Sequence, residues 1–76
     1  MAGKADRDDV LARFGERLRT LRVDAGHSQE RFGGLCELGQ NYISEIETGK
    51  RNVSLRNLDA IATALGLTLA QLMDGV

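Results

Sequence analysis

Between Ser28 and Asn52 the chain reads SQERFGGLCELGQNYISEIETGKRN. This stretch restricts the fold more than any other. Two apolar stripes, Phe32 with Leu35 or Cys36 and then Ile43 with Ile46, recur at helical spacing on either side of Glu37-Leu38-Gly39. Ser28 suits the N-cap of the first segment, where its hydroxyl can accept from N–H groups that lack an intrahelical partner. Gly49 ends the second, as a C-terminal glycine does. Leu38 is expected to point from the turn into the core. Helices this short need other elements to cover their apolar faces.

The flanks supply them. Val10, Phe14, Leu18, Leu21 and Ala25 form one stripe at spacings of three or four, with Asp8 or Asp9 as N-cap and Gly26 as the stop. Ser54 caps a fourth helix carrying Leu58, Ile61, Ala62 and Leu65, which Gly66 ends. Thr68 caps a last short helix with Leu69, Leu72, Met73 and Val76. The chain has no proline and is 4% aromatic, which argues against an all-β fold. The expectation is an all-α, compact five-helix bundle containing a helix-turn-helix. Residues 1–7 read as a disordered polar tail and residues 8–76 as the domain. Gly33 and Gly34 each weaken their helix by up to about 1 kcal/mol relative to alanine. Their expected use is close approach of a second helix.

At 76 residues there is room for one modest core. The lone Cys36 excludes an internal disulfide and a cysteine metal cluster, and suits a reducing cytoplasm. No apolar run approaches the ~20 residues needed to cross a bilayer, and the start MAGKADRDD does not read as a signal peptide. One His and one Cys, both in structural contexts, give no nucleophile with a base, no metal spacing and no catalytic set, so an enzyme is not expected. No cofactor is implied.

Net charge is −1, so bulk electrostatics do not announce a polyanion partner. The distribution is more informative. Arg13, Arg17, Arg19 and Arg22 outweigh Glu16 over residues 10–23, and Lys50, Arg51 and Arg56 stand unopposed over residues 49–56. Acids gather at Asp24, Glu30, Glu37, Glu45 and Glu47. The helix after the turn opens with Gln40 and Asn41, side chains that can donate and accept together at adenine N6 and N7. A helix entering a DNA major groove presents its N-terminal residues to base edges. Glu45 lies four residues after Asn41 and can accept from cytosine N4. Ser44, one turn after Gln40, can reach a base or a phosphate. Tyr42 offers a hydroxyl to phosphate. Gln29 begins a helix whose free N–H groups attract anions. Lys50, Arg51 and Asn52 are placed to grip the backbone beyond the helix.

The pattern LRxLRxxxGxSQE followed by YISxIExGKRNxSLxNLxxIAxALGL resembles the Cro and phage-repressor type helix-turn-helix family, also called XRE, over roughly residues 14–73. The resemblance implies base contacts from Gln40, Asn41, Ser44 and Glu45. It implies phosphate contacts from Gln29 and from Lys50, Arg51 and Asn52. It also implies a salt bridge between Arg22 and Glu47. Three residues depart from the family pattern. Gly33 replaces the usual Ala, a change expected to matter little. Glu37 stands where Gly is usual, and a non-glycine there carries a left-handed backbone at roughly 1 kcal/mol or forces a different turn. Val53 stands where Pro is frequent.

The apolar residues near the C-terminus, Leu69, Leu72, Met73 and Val76 with Leu67, are expected to form a two-fold dimer interface. A homodimer would set two reading helices about 34 Å apart on a palindromic DNA operator. The functional expectation is a cytoplasmic, nucleoid-associated transcription regulator of bacterial or phage type, with RNA polymerase as a further candidate partner and no membrane contact. In size and in its RNxSLxNL stretch the chain is similar to the controller proteins of restriction–modification systems. The alternative reading is a protein-interaction module or antitoxin that uses the same fold with a partner protein.

Overall fold

The computed structural model describes residues 9–76, and these described residues form five α-helices. The 1–7 tail and the alternative cap Asp8 lie outside the described residues. Helix α1 runs Val10–Asp24, α2 Gln29–Cys36, α3 Gln40–Glu47, α4 Leu55–Leu65 and α5 Leu69–Leu72. Among the described residues there is no strand. No helix among them is long and apolar enough to cross a membrane.

Local side chains set the helix starts. The carboxylate of Asp9 accepts from the Leu11 N–H, Ser28 from Arg31, and Ser54 from Asn57. Thr68 and Gln71 form a reciprocal capping box on α5. Among the described helices α3 alone starts without a side-chain cap; its N-cap is Gly39. The helix ends share one device. The N–H groups of His27, Leu38, Lys50 and Leu67 each reach back five residues to a carbonyl, from Arg22, Gly33, Glu45 and Ala62 respectively. Each closes a Schellman turn around a left-handed residue. That residue is Gly26, Gly49 or Gly66 in three cases and Glu37, at φ 61°, in the fourth. The turn between α2 and α3 therefore keeps the usual geometry and Glu37 bears the left-handed strain.

Phe14 and Leu18 of α1, Phe32 and Cys36 of α2, Ile43 and Ile46 of α3, Ile61 and Ala62 of α4, and Leu72 of α5 are all buried. Cys36, not Leu35, is the inward residue of that pair; Leu35 is half exposed. Leu38 packs against this core from the turn, and Val53 from the loop after α3. Leu72 has no exposed surface, so its assignment to a dimer interface is corrected: its side chain is spent inside the protomer. The Arg17 guanidinium donates to the Leu72 and Gln71 carbonyls at 3.2 and 2.7 Å, and Arg13 Nε donates to the Val76 carbonyl at 3.2 Å. These arginines of α1 fasten the C-terminal turn to the bundle.

Two glycines seat α3. A Cβ on Gly15 would stand 2.5 Å from the Ile46 carbonyl oxygen and 2.7 Å from that of Glu47. A Cβ on Gly33 would stand 2.6 Å from the Gly39 carbonyl carbon and 2.8 Å from the Gln40 nitrogen. Helix α1 thus presses on the C-terminal end of α3 through Gly15, and α2 on its N-terminal end through Gly33. The expectation that Gly33 is interchangeable with Ala is corrected, because backbone atoms occupy the space a methyl would need. Gly34 carries no close approach: nothing lies within 4 Å of a Cβ there.

Candidate nucleic-acid interface

Helix α3 is amphipathic. Ile43 and Ile46 are sealed in the core, while Gln40 and Asn41 are exposed and Ser44 and Glu45 partly so. The four side chains proposed to read bases therefore lie on the outward part of one short helix. Their aim depends on how firmly α3 is held.

Its C-terminal end is tied by an internal ion pair. Arg22 Nε donates to Glu47 Oε2 at 2.6 Å and Arg22 Nη2 to Glu47 Oε1 at 3.0 Å, with both side chains at most one-tenth exposed. The remaining Nη1 donates to the His27 carbonyl at 2.8 Å. Gln29 Nε2 adds a bond to Glu47 Oε1 at 3.0 Å. The hydrogen bond from Glu47, opposed by desolvation and helped by its charge, raises the Arg22 pKa above the ordinary guanidinium value. One carboxylate at the end of α3 thus gathers α1, the α1–α2 loop and the first residue of α2. A bidentate, desolvated pair of this kind is costly to break from one side. Gln29 serves this network through its side-chain amide nitrogen.

The outward side carries a second cluster. Arg51 Nε donates to Glu45 Oε1 at 2.7 Å, and its guanidinium carbon lies 5.0 Å from the centroid of the Tyr42 ring. The Tyr42 hydroxyl accepts from Asn57 Nδ2 at 3.0 Å. The Glu45 hydrogen bond raises the Arg51 pKa, so the guanidinium stays charged. The structure thus unites Tyr42, Glu45 and Arg51, and adds Asn57 of α4. Lys50 and Asn52 are exposed beside them. Asn57 escaped the sequence reading because a tyrosine's anchor fifteen residues away leaves no local signature. Gly15 escaped too, although a glycine inside an otherwise strong helix was itself a signal, since it costs about 1 kcal/mol unless close packing requires it.

Cys36 is 6% exposed, and burial pushes its thiol up to about 11. It is a small core side chain at neutral pH. His27 stacks on Phe32 with ring centroids 6.0 Å apart. Among the described residues no group of three or more His, Cys, Asp or Glu is placed to hold a metal ion.

A helix pair of this geometry is the object that comparison with known proteins returns. Residues 13–74 match the helix-turn-helix domain family. The chain belongs to that family. It is 44% identical over 70 residues to control protein C.MunI of a Mycoplasma species, covering 91% of this chain and 95% of that protein. It is 44% identical over 68 residues to control protein C.BamHI of Bacillus amyloliquefaciens, covering 88% and 84%. Among solved structures, the restriction-modification controller protein C.AhdI from Aeromonas hydrophila superposes with a TM-score of 0.79 at 45% identity, covering 82% of this chain and 94% of that one. Fold, family and relatives together make this protein a DNA-binding transcription regulator.

Proposed function

We propose that the protein binds a palindromic duplex operator as a homodimer, with α3 in the major groove, and regulates transcription as the controller of a restriction–modification system. The observation that carries the DNA-reading part is the seating of α3. Its exposed Gln40 and Asn41 and partly exposed Ser44 stand on a helix held at one end by Gly33 and at the other by Gly15 and the Glu47 network. Reading side chains must be held still to discriminate bases. Amides at the helix start suit adenine, and Ser44 suits a base or phosphate. Gln29, Tyr42, Lys50, Arg51 and Asn52 are assigned to phosphates, which fix orientation without carrying sequence information. Glu45 is the fourth candidate reader, and its carboxylate is shared with Arg51.

The controller role rests on likeness to C.MunI, C.BamHI and C.AhdI, each similar over most of both chains. For the dimer, Leu67, Leu69, Met73 and Val76 are all partly exposed, and Leu55 on the adjoining start of α4 is 70% exposed. Arg56 and Asp59 flank Leu55 and Leu69 around a shallow groove. Opposite charges beside an apolar patch can meet each other across a two-fold axis. The site of action is the cytoplasm, at the nucleoid, with RNA polymerase as the further partner.

The test is selection of bound duplexes from a random library at near-physiological salt. An enriched palindrome with half-sites about one helical turn apart, ~34 Å, supports the reading. A folded protein that enriches no sequence refutes it and favours the protein-interaction role.

A further inference from the structure

The Arg51–Glu45 pair is built from both sides of the α3 C-terminus and is held on three fronts. Glu45 takes Nε, the Tyr42 ring lies under the guanidinium, and Asn57 fixes Tyr42. Tyr42 and Glu45 are three residues apart on α3, hence neighbours on one face. A guanidinium has five N–H donors in a planar fork, and here only Nε is engaged among the described residues. The whole Nη edge is left for an external acceptor.

A Glu45 carboxylate reading cytosine alone would have to leave Arg51 and enter a groove walled by phosphates as a bare anion. Kept on Arg51, it is neutralised, and it turns a long, freely rotating cation into an oriented fork. We infer that Glu45 is a positioning residue for Arg51, setting the edge that Arg51 presents to DNA, and that Glu45 itself makes no base contact. The inference rests on the operator-binding reading and deepens it. Glu45 raises discrimination through Arg51 alone. It orients the Arg51 fork for the backbone geometry of the operator, which a scrambled duplex does not share.

The experiment compares the wild type, Glu45→Gln, Arg51→Ala and the double variant. Each is titrated against the duplex recovered by selection with the wild type and against a scrambled duplex of equal length. The pair is exposed, at 52% for Arg51 and 47% for Glu45, so all four proteins fold, which thermal melts verify. Glu45→Gln lowers the ratio of operator to scrambled affinity by up to about fivefold, the upper end for an exposed ion pair. In the Arg51→Ala background the same change leaves the ratio where Arg51→Ala put it.

A further drop in the double variant would overturn the inference, because Glu45 would then act on DNA without Arg51. An unchanged ratio in Glu45→Gln would overturn it and leave the pair a surface contact. A wild type that prefers no duplex would instead defeat the operator reading on which it stands.

Discussion

Two adjacent glycines make opposite predictions. Gly33 and Gly34 occupy consecutive positions inside α2, and helix propensity alone favours alanine over glycine at both by about 1 kcal/mol. At Gly34 nothing opposes that gain, because a Cβ there meets no atom within 4 Å. Gly34→Ala therefore stabilises the domain by up to about 1 kcal/mol, a rise of about 4–8 °C in Tm for a domain this size. At Gly33 the new methyl stands 2.6 Å from the Gly39 carbonyl carbon, 2.8 Å from its oxygen and 2.8 Å from the Gln40 nitrogen. These are backbone atoms and cannot rotate away, so α2 and α3 must separate by several tenths of an ångström. Overpacking of this kind costs about 1–3 kcal/mol, which outweighs the propensity gain and leaves Gly33→Ala destabilised by up to about 2 kcal/mol. The displaced atoms begin the reading helix, so operator affinity falls as well. Urea and thermal unfolding of the two variants, followed by operator titration, provide the assay. A Gly33→Ala protein as stable as Gly34→Ala, with wild-type affinity, would refute the close seating of α2 on α3.

Glu47→Ala strands the buried Arg22 guanidinium and should cost about 3–5 kcal/mol, read as lost stability in urea unfolding; lost operator binding with unchanged stability would sink its structural role. Gln40→Ala should shift base preference at one operator position by about 1–3 kcal/mol in a repeated selection, and an unchanged profile would remove Gln40 from the readers. Arg51→Ala should weaken binding and lower the salt slope by about one, as expected when a phosphate contact stops displacing its counterion; an unaltered slope would mean that Arg51 touches no phosphate. For Cys36, the folded thiol stays protonated up to about pH 11 against an ordinary value of 9.0. The folded state therefore holds the proton more tightly, and this group's contribution to stability, constant below pH ~9, falls by roughly 2 kcal/mol as the pH approaches 11. A Cys36→Ala protein should lack that part of the slope, and identical slopes would contradict it.

The helix boundaries were legible because they are written in local chemistry. Ser28, Ser54 and Thr68 were readable as caps, and each does accept a backbone N–H. Gly26, Gly49 and Gly66 mark ends because a left-handed turn favours a residue without a Cβ. What stayed hidden depends on contacts between distant residues. Leu72 looks like any apolar residue on a terminal helix, and only the packed bundle shows that its own protomer covers it. Gly33 and Gly34 are equivalent in a linear pattern, and the crossing with α3 alone distinguishes them. Gln40 and Asn41 were legible as candidate readers by their chemistry at a helix start. The pairing of Glu45 with Arg51 was not, because it requires the chain to fold back beyond the end of α3.

The central claim is that the outer face of α3, with the loop after it, is what meets DNA. Backbone amide shifts of labelled protein, recorded while a selected operator duplex is titrated in, test it most directly. The largest shifts are expected at Gln29, at residues 39–45 and at residues 50–52. Shifts concentrated instead on Leu67, Leu69 and Met73, with α3 silent, would contradict it.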